Sequence, residues 1–167
     1  MSRTITGYST TQVALHWAVA VLVAFQFVAS DGIERAWRAF ENGEAMAADN
    51  APLTYLHIAA GILILLLIAA RIALRLTRGA PPPPADEPRL LQIAGEAVHH
   101  AIYVLLVLLP VSGSIAWFAG VQQAGAAHVL FQNLLLVAIG LHIGGALFQH
   151  FIRRSDVMMR MLQSQRD

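Results

Sequence analysis

The stretch Ala97–Ile152, AVHHAIYVLLVLLPVSGSIAWFAGVQQAGAAHVLFQNLLLVAIGLHIGGALFQHFI, contains no Asp, Glu, Lys or Arg. One membrane crossing takes about 20 apolar residues, so this run is long enough for two crossings joined by a hairpin. Thr4–Ser30 and Ala51–Ala70 are charge-free as well. A backbone in hydrocarbon must satisfy its own hydrogen bonds, which makes each of these runs a helix. The pattern predicts four spanning helices, over about residues 11–30, 52–76, 90–118 and 126–152, as an up-down all-α bundle forming a single integral membrane domain over 1–167.

The rest of the composition agrees with that reading. Of 167 residues, 57% are hydrophobic and 13% charged, and the mean hydropathy is +0.59; an ordinary soluble domain is excluded. Little chain remains outside the spans for a soluble catalytic domain. Cysteine is absent, which rules out disulfides, iron–sulfur clusters and any heme attached through thioether bonds. A net charge of +1 without a basic tract gives no reason to expect a nucleic-acid partner. The surroundings are the lipid bilayer.

Punctuation and charge set the topology. Pro81–Pro84, between Gly79 and Pro88, cannot be helical and connects the second and third spans. Gly120 and Gly125, around Gln122 and Gln123, mark the turn between the third and fourth. Arg3, Arg71, Arg75, Arg78, Arg89, Arg153, Arg154, Arg160 and Arg166 all fall on one side of this topology. The other side holds Arg35 and Arg38 beside Asp31, Glu34, Glu41, Glu44 and Asp49. By the positive-inside rule, both termini and the proline connector are cytoplasmic and the acidic segment Asp31–Asn50 is outside. A cleaved signal peptide ending near Val28-Ala29-Ser30 is the competing reading of the N-terminus; its apolar run is longer than a usual signal core, and cleavage would remove His16.

Four histidines then stand at matching depths. His128 and His142 are fourteen residues apart on one helix, a rise of about 21 Å over nearly four turns, so they share a face near opposite ends of the span. Depth pairs His57 with His128 toward the outside and His16 with His142 toward the cytoplasm. Each pair can supply two axial imidazoles to the iron of a noncovalently held heme, giving two stacked b-type hemes and a metal with no position left for substrate. A single intramembrane imidazole can instead be a hydrogen-bonded core residue; four at matched depths favour ligation. A zinc or nickel transporter would recruit carboxylates too, and the spans offer only Glu96.

Small and basic residues extend the pattern. Gly61 lies one turn beyond His57, and Gly140, Gly144 and Gly145 surround His142, so a flat macrocycle could approach the backbone; packing between helices is the other use of such glycines. Arg71, fourteen residues beyond His57, and Arg75, one turn further, are placed either to pair with a heme propionate or to snorkel to lipid phosphate.

With these residues in place the chain resembles the bacterial cytochrome b561 family, which is similar to the cytochrome b subunits of nickel hydrogenase and formate dehydrogenase and includes superoxide oxidase. The matching pieces are Ala14-Leu15-His16-Trp17, His57 with Gly61, Arg71 and Arg75, His99 with Tyr103 and Leu109-Pro110 ahead of Gly113, and His128 with Ile139-Gly140-Leu141-His142 and His150. The resemblance covers essentially the whole chain. It implies a four-helix bundle with two b hemes and electron exchange with ubiquinone. His99 and His150, toward the cytoplasm, are then candidates to hydrogen-bond a quinone carbonyl or relay a proton; His99 is also the alternative to His142 opposite His16.

Two features depart from superoxide oxidase: the connection between about Phe118 and about Ala126 is short, and the outer segment carries five acidic residues against two arginines, which repels an anionic substrate. The expected function is electron transfer between a periplasmic donor, with superoxide the one the family suggests, and the ubiquinone pool. The alternative is a membrane anchor and electron conduit for a separate periplasmic dehydrogenase or cytochrome, docked on the acidic segment.

Overall fold

The computed structural model describes residues 7–163; Arg3 and Arg166, counted in the charge asymmetry, lie outside them. The helices run α1 Thr10–Val28, α2 Asp31–Glu41, α3 Ala51–Arg78, α4 Arg89–Ala119, α5 Gln122–Leu147 and the short α6 Met159–Leu162. A π-helical turn, Phe148–Ile152, prolongs α5. Four segments are long and apolar enough to cross a membrane: Thr10–Val28, Ala48–Arg78, Arg89–Ala119 and Gln122–Ile152. α1 packs on α3, α3 on α4, and α4 most extensively on α5, which is the four-helix bundle that the charge-free runs imply.

Local chemistry explains where the spans begin and end. Ser9 and Gln12 form a reciprocal capping box at the start of α1, with the Gln12 N–H donating to Ser9 Oγ at 3.3 Å and the Ser9 N–H to Gln12 Oε1 at 3.0 Å. Pro52 stands in the first turn of α3, where a missing N–H costs nothing. At the end of α4, Gly120 takes a left-handed conformation (φ +66°), which glycine adopts without strain. The turn into α5 is Gly120-Val121 alone.

The core forms a waist at mid-height. Val19 and Val23 of α1, Ile64 and Ile68 of α3, Leu105 and Leu106 of α4, and Leu135 and Ala138 of α5 close on one another. Ile68 and Leu135 are almost fully enclosed. Lipid tails are as apolar as leucine, so these contacts hold the helices by close packing rather than by exclusion from water. Outward side chains such as Leu66 and Leu141 are exposed, as a lipid-facing surface requires.

The acidic segment contains a helix that charge alone did not reveal. In α2, Asp31 and Glu34 occupy the first turn and Arg38 the last, matching the helix dipole. Ile33, Ala36, Trp37 and Phe40 recur at helical spacing to form its apolar face. A buried polar latch ties α2 to α3: Asn50 Nδ2 donates to the Gly32 carbonyl at 2.7 Å and Thr54 Oγ1 to the same carbonyl at 3.1 Å. A Cβ on Gly32 would stand 2.5 Å from Leu53 Cβ, so only glycine permits this approach.

α2 also lies against the α4–α5 turn. Gly125 is inside α5 rather than in the turn, and glycine there serves a close approach: a Cβ would meet the Trp37 indole Cζ2 at 2.7 Å. Phe40 covers Gly120 in the same way, at 3.3 Å.

The opposite end is closed by the chain after α5. Arg153 donates to both the carbonyl and the carboxylate of Asp86, at 2.9 and 3.0 Å, and Gln149 hydrogen-bonds Glu87. Arg160 donates to the Pro82 carbonyl at 2.7 Å, Trp17 Nε1 to the Met161 carbonyl at 2.9 Å, and Gln12 Nε2 to the Gly79 carbonyl at 3.0 Å. The start of α1, the proline connector and the C-terminal segment thus share one end of the bundle.

Candidate functional site

Every helix of the bundle carries polar residues above and below the waist. On α3, His57, Ile64 and Arg71 are spaced by seven; on α5, His128, Leu135 and His142 are too. Seven residues are about two turns, so each trio lies along one face. Ile64 and Leu135 belong to the waist, which divides the polar residues into a tier at the α2 end and a tier at the proline-connector end.

In the tier at the α2 end, His57 and His128 line one cavity that is open at its mouth. Its walls are largely apolar, with Val23, Phe27 and Leu106 among them, and Ile33 and Trp37 of α2 contribute at its margin. His128 is held in one orientation. Its Nδ1–H donates to the Leu109 carbonyl of α4 at 2.9 Å, with Ser112 Oγ at 3.3 Å from the same nitrogen. Nε2 is left as the free ring nitrogen. The ring fits there because Gly113 has no side chain: a Cβ would stand 3.0 Å from its Cε1 and Nδ1. His57 differs, in that its Nδ1 is buried with no hydrogen-bond partner among the described residues. Its backbone carbonyl accepts from Gln26 Nε2 of α1 at 3.0 Å.

In the other tier, the His142 ring centroid lies 6.2 Å from that of His16 and 5.0 Å from that of His99. The structure thus brings together the three histidines between which the inner pairing was open. His99 donates from Nδ1 to the Gly95 carbonyl at 2.6 Å on its own helix, and His100 bonds the Glu96 carbonyl likewise at 2.7 Å. Arg71 donates to the Gln12 carbonyl at 3.2 Å and toward His16 Nδ1 at 3.4 Å, with its guanidinium 5.9 Å from the Tyr103 ring centroid. Tyr8, outside the spans, has its phenol pushed above its ordinary pKa by burial, against the opposing pull of nearby Arg75, and stays a neutral donor. His150 stands apart from the trio in the π-helical turn, its ring 4.8 Å from Phe151.

A Cβ at Gly140, Gly144 or Gly145 would meet nothing within 4 Å, so these glycines do not serve contacts between the helices of this chain. Gly61 faces Gln26 Nε2, 3.2 Å from where a Cβ would lie. Among the described residues, no group of three or more His, Asp or Glu side chains is placed to hold a metal ion by itself. Sequence reasoning missed Gln26, Ser112 and Trp37. Gln26 carried a signal, being an amide inside a span, where a polar group seeks a bonded partner.

A membrane bundle with partly buried imidazoles above and below a packed apolar waist has the arrangement of an integral membrane cytochrome. The sequence matches the pattern of the prokaryotic cytochrome b561 family over residues 7–164; the chain belongs to that family and is a membrane b-type cytochrome. It is 30% identical over 161 residues to a cytochrome b562 of Cereibacter sphaeroides, covering 94% of this chain and 96% of the other. Identity to a probable superoxide oxidase, CybB, of Yersinia pestis is 29% over 182 residues, covering 95% and 97%. Identity to cytochrome b561 homolog 1 of Escherichia coli is 26% over 185 residues, covering 93% and 96%.

Heme b, which the family implies, fits the residues present. A ligating imidazole donates its other ring N–H to a carbonyl or carboxylate, and His128 already does so. His57 brings a second imidazole to the same cavity with its Nδ1 unpartnered. At His16 the guanidinium of Arg71 lies at Nδ1, so ligation through Nε2 requires Arg71 to give up that contact.

Proposed function

We propose that this chain holds two b hemes, the outer one by His57 and His128 and the inner one by His16 and His142. It transfers electrons between a periplasmic donor and ubiquinone, in the manner of a superoxide:ubiquinone oxidoreductase. The observation that carries this reading is the shared cavity of His57 and His128, in which the orientation of His128 is set by a carbonyl of the neighbouring helix. Both termini and the proline connector are cytoplasmic in a bacterial inner membrane, as the arginine distribution supports.

Each bound heme supplies a reversible one-electron Fe(III)/Fe(II) couple. The protein fixes the imidazoles, excludes water with the apolar cavity walls and the waist, and orients the ring nitrogens through their second hydrogen bonds. With superoxide as donor the balance is simple: two superoxide anions give up one electron each and leave as O2, and ubiquinone takes both electrons and two protons to become ubiquinol. Arg71 and Arg75 serve the propionates of the inner heme. His99 and His150, on the cytoplasmic side, serve the quinone by hydrogen bonding and proton delivery. The similarity to the probable superoxide oxidase of Yersinia pestis supports superoxide as the donor.

One observation favours a second reading, a membrane anchor and electron conduit for a periplasmic redox protein. Glu34 contributes to the outer cavity, on a helix that also carries Asp31 and Glu41; a negative field there draws a basic protein and repels superoxide. The two separate on purified protein. Under the first reading, superoxide reduces the hemes and added ubiquinone reoxidises them. Under the second, superoxide reduces them no faster than it reduces a His57→Ala variant, and a partner chain co-purifies in mild detergent.

A further inference from the structure

Two buried polar atoms without partners sit on residues that already touch. His57 Nδ1 has no hydrogen-bond partner among the described residues, and neither has Gln26 Oε1. Yet Gln26 Nε2 donates to the His57 backbone carbonyl at 3.0 Å, and both residues line the outer cavity. One orphan is an N–H donor in the tautomer that leaves Nε2 free; the other is a carbonyl acceptor. A buried polar group left unpaired is costly, so two complementary ones on adjoining residues are a pair awaiting closure.

The other histidines sharpen the contrast. His99 and His100 each bond the carbonyl four residues earlier on their own helix, and His128 bonds a carbonyl of α4. His57 has none of these. The torsion that turns a glutamine amide is soft, and Gly61 leaves the space in which the amide lies.

We propose that Gln26 is the positioning residue of the outer heme ligand: its Nε2 braces the His57 carbonyl, and its Oε1 accepts the His57 Nδ1–H. The inference rests on the assignment of His57 as an outer axial ligand. An acceptor on Nδ1 makes the imidazole a stronger donor to iron and stabilises Fe(III), so Gln26 lowers the potential of the outer heme. Gln26 is not a catalytic residue; it acts through His57.

The test is a potentiometric titration of the purified holoprotein with Gln26→Leu and Gln26→Glu. Leucine removes donor and acceptor, whereas glutamate removes the donor and keeps an acceptor oxygen. The outer heme of Gln26→Leu is expected to shift toward Fe(II) by about tenfold, or 59 mV for one electron, with the inner heme unmoved. Gln26→Glu is expected to titrate at or below the wild-type potential. Equal shifts in both variants would assign Gln26 to bracing the carbonyl alone, and no shift in either would remove it from the site; both results overturn the proposal. His57→Ala separates this from the underlying assignment: if that variant keeps both hemes with unchanged potentials, the ligand assignment itself fails.

Discussion

A Cβ on Gly113 would stand 3.0 Å from both Nδ1 and Cε1 of His128: the imidazole of α5 occupies the place where α4 has no side chain. One turn back on α4, Leu109 offers the carbonyl that orients it. A missing methyl group and a main-chain acceptor thus aim one side chain into the outer cavity.

Gly113→Ala pushes the His128 ring off that carbonyl, with an overpacking cost of about 1–3 kcal/mol. The purified variant is expected to lose most of one heme per chain while its far-ultraviolet circular dichroism stays helical. Full heme content with an unchanged spectrum would show that His128 does not depend on this contact.

Arg71 bears on the inner tier through His16, Gln12 and Tyr103. Arg71→Leu removes the cation assigned to the propionate, so the inner heme is expected to shift its potential and bind less tightly, the outer one remaining as it is. Redox titration of the two components checks this; an equal disturbance of both would point to a general loosening of the bundle.

The α2 latch depends on Asn50, buried and bonded to the Gly32 carbonyl and to Arg35 Nε. Asn50→Ala leaves that polar cluster short of a partner, at a cost of about 1–3 kcal/mol. Faster protease cleavage within residues 42–47, with the four spans intact, is the expected outcome. Unchanged cleavage would mean that the contacts of Trp37 and Phe40 suffice to hold α2.

Glu34 contributes to the outer cavity and is half exposed, 3.8 Å from Arg38. Glu34→Gln leaves the arginine charge unopposed, so reduction of the hemes by superoxide is expected to accelerate several-fold at low salt. The gain should shrink at high ionic strength as screening shortens the field. A rate insensitive to both the substitution and salt would remove electrostatic control of the donor step.

The four spans were legible because residues without charge over such lengths have few alternatives to membrane helix. The facing of His128 and His142 followed from their spacing on one helix, and the structure keeps Leu135 midway between them in the waist. α2 was harder to see: its charges drew attention to an acidic segment, while Ile33, Ala36, Trp37 and Phe40 spelled its apolar face. Gly125 read as a turn residue because glycine marks turns and close approaches alike, and only the position of Trp37 distinguishes them. Gln26 and Ser112 act across helices, and their partners, at His57 and His128, lie at separations that no local spacing encodes.

The central claim is two b hemes held by separate imidazole pairs, and a pyridine hemochrome count combined with a redox titration of the α-band tests it most directly. Two hemes per chain titrating as two components are expected, with His128→Ala keeping only the inner component. One heme or none per wild-type chain, or a His128→Ala variant with both components intact, would contradict it.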